Sequence, residues 1–505
     1  MSDLGKDSVS LSQKIKDIFW PIRKSETKLF VPLGLMMLCM LFNFGALRSV
    51  KDSLIVPNVG AEVISFLKLW LVLPSTVVFT LIYAKLSNRF NHEQVFYIVI
   101  SAFLGFFIIF TYWVFPQQQQ YHPGEDFINK LIIQYPHFKW FLKLAGKWSY
   151  AVMYVFCELW SVVIINLLFW QYANSIFDTQ SAKRFYPFLG AIGNIGLIIA
   201  GNILVKFSDI SNISDVLVLD LYNNNLTFQC NMVLKPIMNW VIAAGVIAII
   251  LYYYIHHYVL EKTELKHVFF YKEQKEKTSL SIKDSIKLLS GSKHLGHIAL
   301  LVLCYGLLIN ILEGPWKAKV RQLYPNTVDY MNFMGQFNIW MGISCVSFMI
   351  VGSNILRKTS WLFSALITPY MILITGLIFF SFVIIADIGV FSGDWFNPIY
   401  YAVIIGGLQN ILSKSTKYSL FDSTKEMSYL PLSLELKTKG KAAVEVIGLK
   451  CGKSLGAFIQ SSIFILAPMA SFDSIVTYLL VIFLFIISLW IWNVKALNMN
   501  YMNSQ

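Results

Sequence analysis

Twelve long, predominantly apolar runs constrain this chain more than any other feature. They fall at about 29–50, 63–84, 95–115, 148–170, 185–205 and 236–256, and again at 297–313, 333–351, 361–385, 398–413, 445–468 and 474–494. Most are long enough to cross roughly 30 Å of hydrocarbon as a helix. The runs are continuous instead of alternating, and lipid offers no water to an open backbone, so helices are the expected spanning element. Composition agrees: 56% of the 505 residues are hydrophobic and 14% are charged, whereas roughly a quarter of a soluble domain is charged. The expected fold is an all-α polytopic membrane protein with two six-helix bundles, 29–256 and 297–494. A segment 1–28 precedes them, a linker 257–296 joins them and a tail 495–505 follows.

The charge balance, 41 Lys and Arg against 28 Asp and Glu, raises nucleic acid as a partner, and its distribution argues against that. With the N-terminus inside, 27 of the 41 basic residues fall in inner segments, 10 in outer loops and 4 in spans. An excess of Lys and Arg in short cytoplasmic loops is how membrane proteins orient. Both termini are therefore expected in the cytoplasm, and the eight lysines of 257–296 read as a cytoplasmic linker. Residues 1–28 carry six basic residues with no apolar core and no small-residue cleavage site, so no signal peptide is expected. The outer loop 116–147 is the exception to the inside rule: Lys130, Lys139, Lys143 and Lys147 stand beside Trp140 and Trp148. It reads as an amphipathic segment lying on the outer interface. Six scattered cysteines suggest neither a disulfide framework nor a zinc site.

The two halves echo each other. SIFDTQSAKR at 175–184 and SLFDSTKEM at 419–427 follow the fourth and tenth runs, and ALRSVKDSL and LEGPWKAKVRQL close the first and seventh. Duplicated six-helix halves around a midplane site are the plan of the major-facilitator architecture.

Charges in or beside the runs carry the functional reading. Arg48 and Lys51 close the first run, and Lys317, Lys319 and Arg321 follow the seventh. Lys319 and Arg321 read as snorkelling side chains; Lys51 and Lys317, at matching places in the halves, suit an anionic substrate. Glu158 lies inside the fourth run and Glu313 ends the seventh, and an intramembrane carboxylate pairs or relays a proton. Lys68 is a candidate partner for either. Lys450 and Lys453 lie about one helical turn apart and share a face, among the small residues Gly448, Gly452, Ser454, Gly456 and Ala457. GLKCGKS is not a phosphate-binding P-loop, because its glycines are one residue too close and no strand precedes it. Lysines beside small residues still make a site for phosphate oxygens. Nothing in the sequence suggests a metal, a cofactor or an enzyme active site, and a proton-coupled symporter of another organic anion is the competing transporter class.

Taken together, LRSVKDSL, FKWFLKLAGKWSYAVMYVFCELW, LLFWQYAN, EGPWKAKVRQLYP, SKSTKYSLFDSTKEMSYLPL and KGKAAVEVIGLKCGKSLGAFIQS resemble the nucleotide transporters (non-mitochondrial ATP/ADP translocases) of obligate intracellular bacteria and plastids. The resemblance runs over nearly the whole chain and departs at Ser53 and Pro315. It implies an inner-membrane carrier that brings host ATP in and sends ADP out by alternating access without covalent chemistry, or a relative carrying other ribonucleotides. By motif, the family's important charges fall on Lys51, Glu158, Glu313 and a lysine in the last third, Lys453 ahead of Lys425. The working unit expected is a single chain in the lipid bilayer.

Overall fold

A computed structural model describes residues 22, 26–177, 179–209, 226–260, 292–388, 396–432, 444 and 450–502. Among them every regular element is helical. The first half holds α1 (Thr27–Ile55), α2 (Val63–Arg89), α3 (His92–Val114), the short α4 (Glu125–Gln134) and α5 (Lys139–Gly146), then α6 (Trp148–Ile176), α7 (Thr179–Ser208) and α8 (Asn231–Leu260). The second half holds α9 (Lys293–Leu323), α10 (Thr327–Lys358), α11 (Trp361–Ile388), α12 (Pro398–Thr416), α13 (Asp422–Met427), α14 (Lys450–Leu466) and α15 (Phe472–Met502).

Ten of the described helices are long and apolar enough to cross a membrane. The expected tenth and eleventh spans correspond to α12 and the 17-residue α14, which do not meet that standard, so the count of twelve is not reached on length and apolarity alone. The observed helices mostly overrun the apolar runs by up to about ten residues. The seventh was expected to stop at 313, and α9 continues to Leu323 with Glu313, Lys317, Lys319 and Arg321 inside it. A helix keeps winding past its first charges when those charges find partners among neighbouring helices.

Four further expectations change. The tail from 495 is helical to Met502, as a continuation of α15. The stretch after 419 is not an open loop at its start, because α12 runs through a π-wound turn, Lys417–Phe421, into α13. The sixth span continues to Leu260, past the expected start of the linker at 257. The segment 116–147 does not simply lie on the interface: His137 Nδ1 stands 2.7 Å from the Ile465 carbonyl oxygen, Lys139 Nζ donates to that of Pro468 at 3.3 Å, and Trp140 packs edge-on against Phe464. It therefore grips the second half. Most of 1–28, Asp178, residues 261–291 of the linker and much of 433–449 lie outside the described residues.

Polar caps start the helices of the second half: Ser292 accepts from Leu295 N–H, Asn326 from Val328 N–H, and Asn397 from Ile399 and Tyr400 N–H with Pro398 at the first position. Small residues set how closely helices cross. Between halves, a Cβ on Gly201 of α7 would meet the Gly335 carbonyl oxygen of α10 at 2.5 Å, and one on Gly342 would meet that of Asn194 at 3.0 Å. Within the second half, a Cβ on Gly452 of α14 would stand 2.9 Å from the Leu303 carbonyl oxygen of α9. An apolar cavity of about 480 Å³ lies between α2, α5 and α6 and is lined by Phe66, Trp70, Phe141, Trp148 and Phe156 among others. It holds none of the charged residues singled out in the sequence.

Candidate functional site: a charged seam between the halves

The expected site residues meet where α1, α2 and α6 of the first half face α9 of the second. Lys51 Nζ on α1 lies 3.0 Å from Glu158 Oε1 on α6 and 2.8 Å from Asp52 Oδ1. Asp52 Oδ2 lies 2.8 Å from Lys317 Nζ on α9, across the seam. Lys317 also stands 3.1 Å from Glu313 Oε1, one turn back on its own helix. Glu313 reaches back across the seam to Lys68 Nζ of α2 at 2.8 Å, and to Arg48 of α1 at 3.6 Å. The result is a chain of alternating charge with Asp52 and Lys317, both 0% exposed, at its centre. Burying charge in this way is tolerated only when each ion is paired, because desolvation of each costs several kcal/mol.

Helical periodicity explains the convergence. Arg48 and Asp52 lie four residues apart on α1, as Glu313 and Lys317 do on α9, so each helix presents a pair of charges on one face. Lys51 is further held over the Tyr154 ring, 3.9 Å from its centroid. Beyond Glu158, α6 winds as a π-helix over Ser161–Phe169, a departure frequent at functional sites. On the α9 side, Asn310 accepts from Lys68 Nζ at 2.7 Å and donates to the Lys453 carbonyl oxygen at 2.8 Å, and Gln460 donates to the Asn310 carbonyl oxygen at 2.9 Å. Gly456 makes this approach possible, since a Cβ there would sit 2.8 Å from Asn310 Cβ.

Lys453 and Lys414 complete the constellation. Both lie in the electrostatic field of Glu313, and Lys453 also in that of Glu158 and Lys68. Among the described residues neither makes an ion pair; Lys414 Nζ lies 5.8 Å from the centroid of the Phe337 ring. Lys453 is exposed at the molecular surface, and so is Tyr418, at 45%. Arg48, Lys51, Lys68 and Lys317 face three carboxylates, Asp52, Glu158 and Glu313, so the paired cluster carries one cation more than its anions.

The hydrogen bonds and ion pairs that join the halves run from the middle of α1 toward the face opposite Thr27 and Met502. Asn338 donates to the Gly45 carbonyl oxygen and to Ser49 Oγ, Asn58 donates to Thr327 Oγ1, and Phe472 N–H donates to Glu62 Oε1. Toward the face of the chain ends, Gln171 on α6 and Leu408 on α12 are exposed. These polar ties between the halves thus lie at the charged cluster and on one side of it.

Of the expected residues, Lys51, Glu158, Glu313 and Lys317 share the cluster and Lys453 borders it. Lys425 does not join it, standing on α13 with Glu426 at 3.7 Å, and the Lys450 side chain lies outside the described residues. Lys68 does pair with an intramembrane carboxylate, as expected. Lys319 does not snorkel: it is 2% exposed, between Asp387 at 2.7 Å and Asp473 at 3.0 Å. Sequence reasoning missed Asp52, Asn310 and Lys414. An Asp directly after a candidate lysine, inside a helix, was the available signal for Asp52; Lys414 was hidden among the basic residues of the inner segments. Among the described residues no group of three or more His, Cys, Asp or Glu could hold a metal ion.

Comparison with known proteins places this geometry. The profile described as "TLC ATP/ADP transporter" matches residues 6–501. Among curated relatives, "ADP,ATP carrier protein 3" of Rickettsia conorii is 61% identical over 493 residues, 97% of each chain, and its counterpart in Rickettsia bellii is 62% identical over 494, again 97% of each. "ADP,ATP carrier protein 1" of Rickettsia prowazekii is 42% identical over 494 residues, covering 97% of this chain and 96% of the relative. Among solved structures, a bacterial homologue of the iron transporter ferroportin in an inward-facing state aligns with a TM-score of 0.53 at 16% identity, covering 94% of this chain and 98% of that one. A D-xylose-proton symporter aligns with 0.51 at 12%, covering 91% and 96%. These distant likenesses show the fold alone, which is major-facilitator-like. The matches over nearly the full length show the rest: the chain belongs to the TLC ATP/ADP transporter family.

Proposed function

We propose that the protein exchanges nucleotides across a bacterial inner membrane, ATP for ADP, by alternating access at the charged seam. The observation that carries this reading is the cluster of four cations on three carboxylates between the halves, with Lys414 and Lys453 making no ion pair among the described residues. The names of the relatives, ADP,ATP carriers, supply the substrate. Lysines contact phosphate as flexible point charges, so the polyphosphate is placed against Lys453, Lys414 and the Lys68 and Lys51 edge of the cluster. The exposed ring of Tyr418, with Lys417 Nζ 4.6 Å from its centroid, offers a surface for stacking the base.

Exchange follows from the electrostatics. Opening the opposite face requires Asp52–Lys317, Glu313–Lys68 and Glu313–Arg48 to part, which strands buried charge in an empty carrier. A bound polyanion replaces Glu313 as partner for the cations and lowers that cost, so the loaded carrier turns over faster than the empty one. Glu158 and Glu313 act as gates and holders of the lysines. No covalent step enters the cycle. On this reading both termini are cytoplasmic, α12 and α14 complete a set of twelve spans around the six-helix bundles 29–256 and 297–494, and one chain is the working unit.

The test is uptake of labelled ATP by cells or proteoliposomes carrying the full-length protein. Preloaded ADP should accelerate ATP entry, and entry should persist when the proton gradient is collapsed. Failure of ADP to accelerate it overturns exchange. Competition with GTP, CTP, UTP and NAD assigns the base; stronger competition by another ribonucleotide than by ADP would replace ATP/ADP as the substrate pair.

A further inference from the structure

On the face opposite the chain ends, three cations converge outside the charged seam. Lys139 and Lys143 lie on successive turns of α5 with their ammonium groups 4.8 and 5.1 Å from the centroid of the Trp140 ring. Arg321, in the last turn of α9, reaches the same place from the second half. The point where a Cβ on Gly60 would stand is 3.4 Å from Arg321 Nη1, 3.1 Å from Trp140 Cζ3 and 2.9 Å from Glu62 Oε2. Gly60 has φ +133°, a conformation open to glycine and strained for other residues. The backbone there leaves the space in which these side chains meet.

The local balance is three cations to one carboxylate, and Glu62 also accepts from Phe472 N–H at 3.4 Å. Lys139 is anchored on the Pro468 carbonyl oxygen at 3.3 Å; among the described residues Lys143 and Arg321, both half-buried, make no ion pair. Trp140 is 5% exposed and its Nε1–H has no acceptor. Burial, then Lys139 and Arg321 beside it, hold the Lys143 ammonium below the usual lysine range. Like charges crowded in this way repel, and an anion between them relieves both the repulsion and the unfilled donors.

We propose that Lys139, Lys143 and Arg321 around Trp140 form a peripheral docking site for the phosphates of a nucleoside polyphosphate, which captures it before the seam opens on this face. The inference rests on the transport reading above and adds a second binding station to it. Its action is kinetic. A patch of one sign beside a closed entrance raises the local concentration of an oppositely charged ligand and its association rate, with the salt dependence of partly screened charges.

The test is ATP uptake at low and at high ionic strength by the full-length protein and by the variants Lys143→Gln, Arg321→Gln and their double. The double variant should raise the apparent KM about tenfold at low salt with the maximal rate retained, and the gap should close at high salt, where the Debye length falls to about 3 Å at about 1 M. Arg321→Lys should restore most of the loss, because charge is what acts. An unchanged KM overturns the docking site, and so does a salt-independent fall in maximal rate, which marks a clamp between halves. Wild-type uptake separates the two readings: absence of nucleotide transport in the wild type overturns the function itself, whereas normal wild-type transport with unaffected variants overturns the docking site alone.

Discussion

Ion pairs occur in two settings in this molecule, and they differ in what they connect. Asp52–Lys317, Glu313–Lys68 and Glu313–Arg48 join one half to the other. Lys319–Asp387, Lys319–Asp473, Lys417–Asp422 and Arg184–Glu26 each stay within one half. Apart from Glu313–Arg48 at 3.6 Å, all fall between 2.7 and 3.0 Å, so distance does not tell the sets apart. On the proposed cycle the cross-seam pairs part at each turnover, while the others can stay closed and hold each bundle together. A carrier needs both kinds, and the difference lies in which helices supply the partners.

Substitutions can break this contrast, and the largest effect is expected at its centre. Asp52→Ala leaves Lys317 buried without its cross-seam partner, and truncating one member of a buried pair costs about 3–5 kcal/mol. Exchange should be abolished and the thermal midpoint of detergent-purified protein should fall; near-normal uptake by Asp52→Ala would remove Asp52 from the seam's machinery. A disulfide formed by Asn58→Cys with Thr327→Cys, whose polar atoms now stand 3.1 Å apart, should stop exchange under oxidation and release it under reductant in a background freed of native cysteines. A bifunctional thiol reagent long enough to join cysteines at positions 26 and 184, within the first half, should leave exchange running. If both cross-links behave alike, the distinction fails.

Smaller effects sharpen it. Lys453→Ala and Lys414→Ala remove cations without an ion pair among the described residues, so stability should hold while uptake falls about 10- to 100-fold through weaker phosphate contact. A loss of folding instead of transport would assign these lysines a structural role. Lys319→Met should do the reverse, lowering the thermal midpoint of the purified protein by a few degrees because Asp387 and Asp473 lose their common partner, with an unchanged KM for ATP. A raised KM would bring Lys319 into the substrate path.

The helices were legible because hydrocarbon thickness dictates their length and lipid dictates their backbone bonding. Boundaries were less so. Reading α9 as ending at Glu313 treats the first charge as the edge of the membrane, whereas Lys317 and Lys319 are buried by carboxylates from α1, α11 and α15 that no local pattern in α9 announces. Lys319 shows the limit best: its partners lie 68 and 154 residues away, so its surroundings are a property of the packing. The pairing of Lys68 with Glu313 was anticipated because an intramembrane charge seeks an opposite one. Lys414 escaped notice since a basic residue at an inner helix end already had a sufficient explanation. The grip of 136–140 on Ile465, Pro468 and Phe464 was missed for a similar reason, as amphipathicity identifies a two-sided helix without naming what each side touches.

The glycine contacts between α7 and α10 have a mechanical consequence. Where Gly201 meets Gly335 and Gly342 meets Asn194, backbone lies against backbone. For a carrier that rocks one half on the other, such a contact serves as a bearing: the surfaces roll with little side-chain bulk to unlock, and the energy of the stroke is left to the ion pairs beside them. A branched side chain at Gly201 would act as grit in that bearing, slowing the stroke in both directions while leaving the substrate's grip on the lysines untouched.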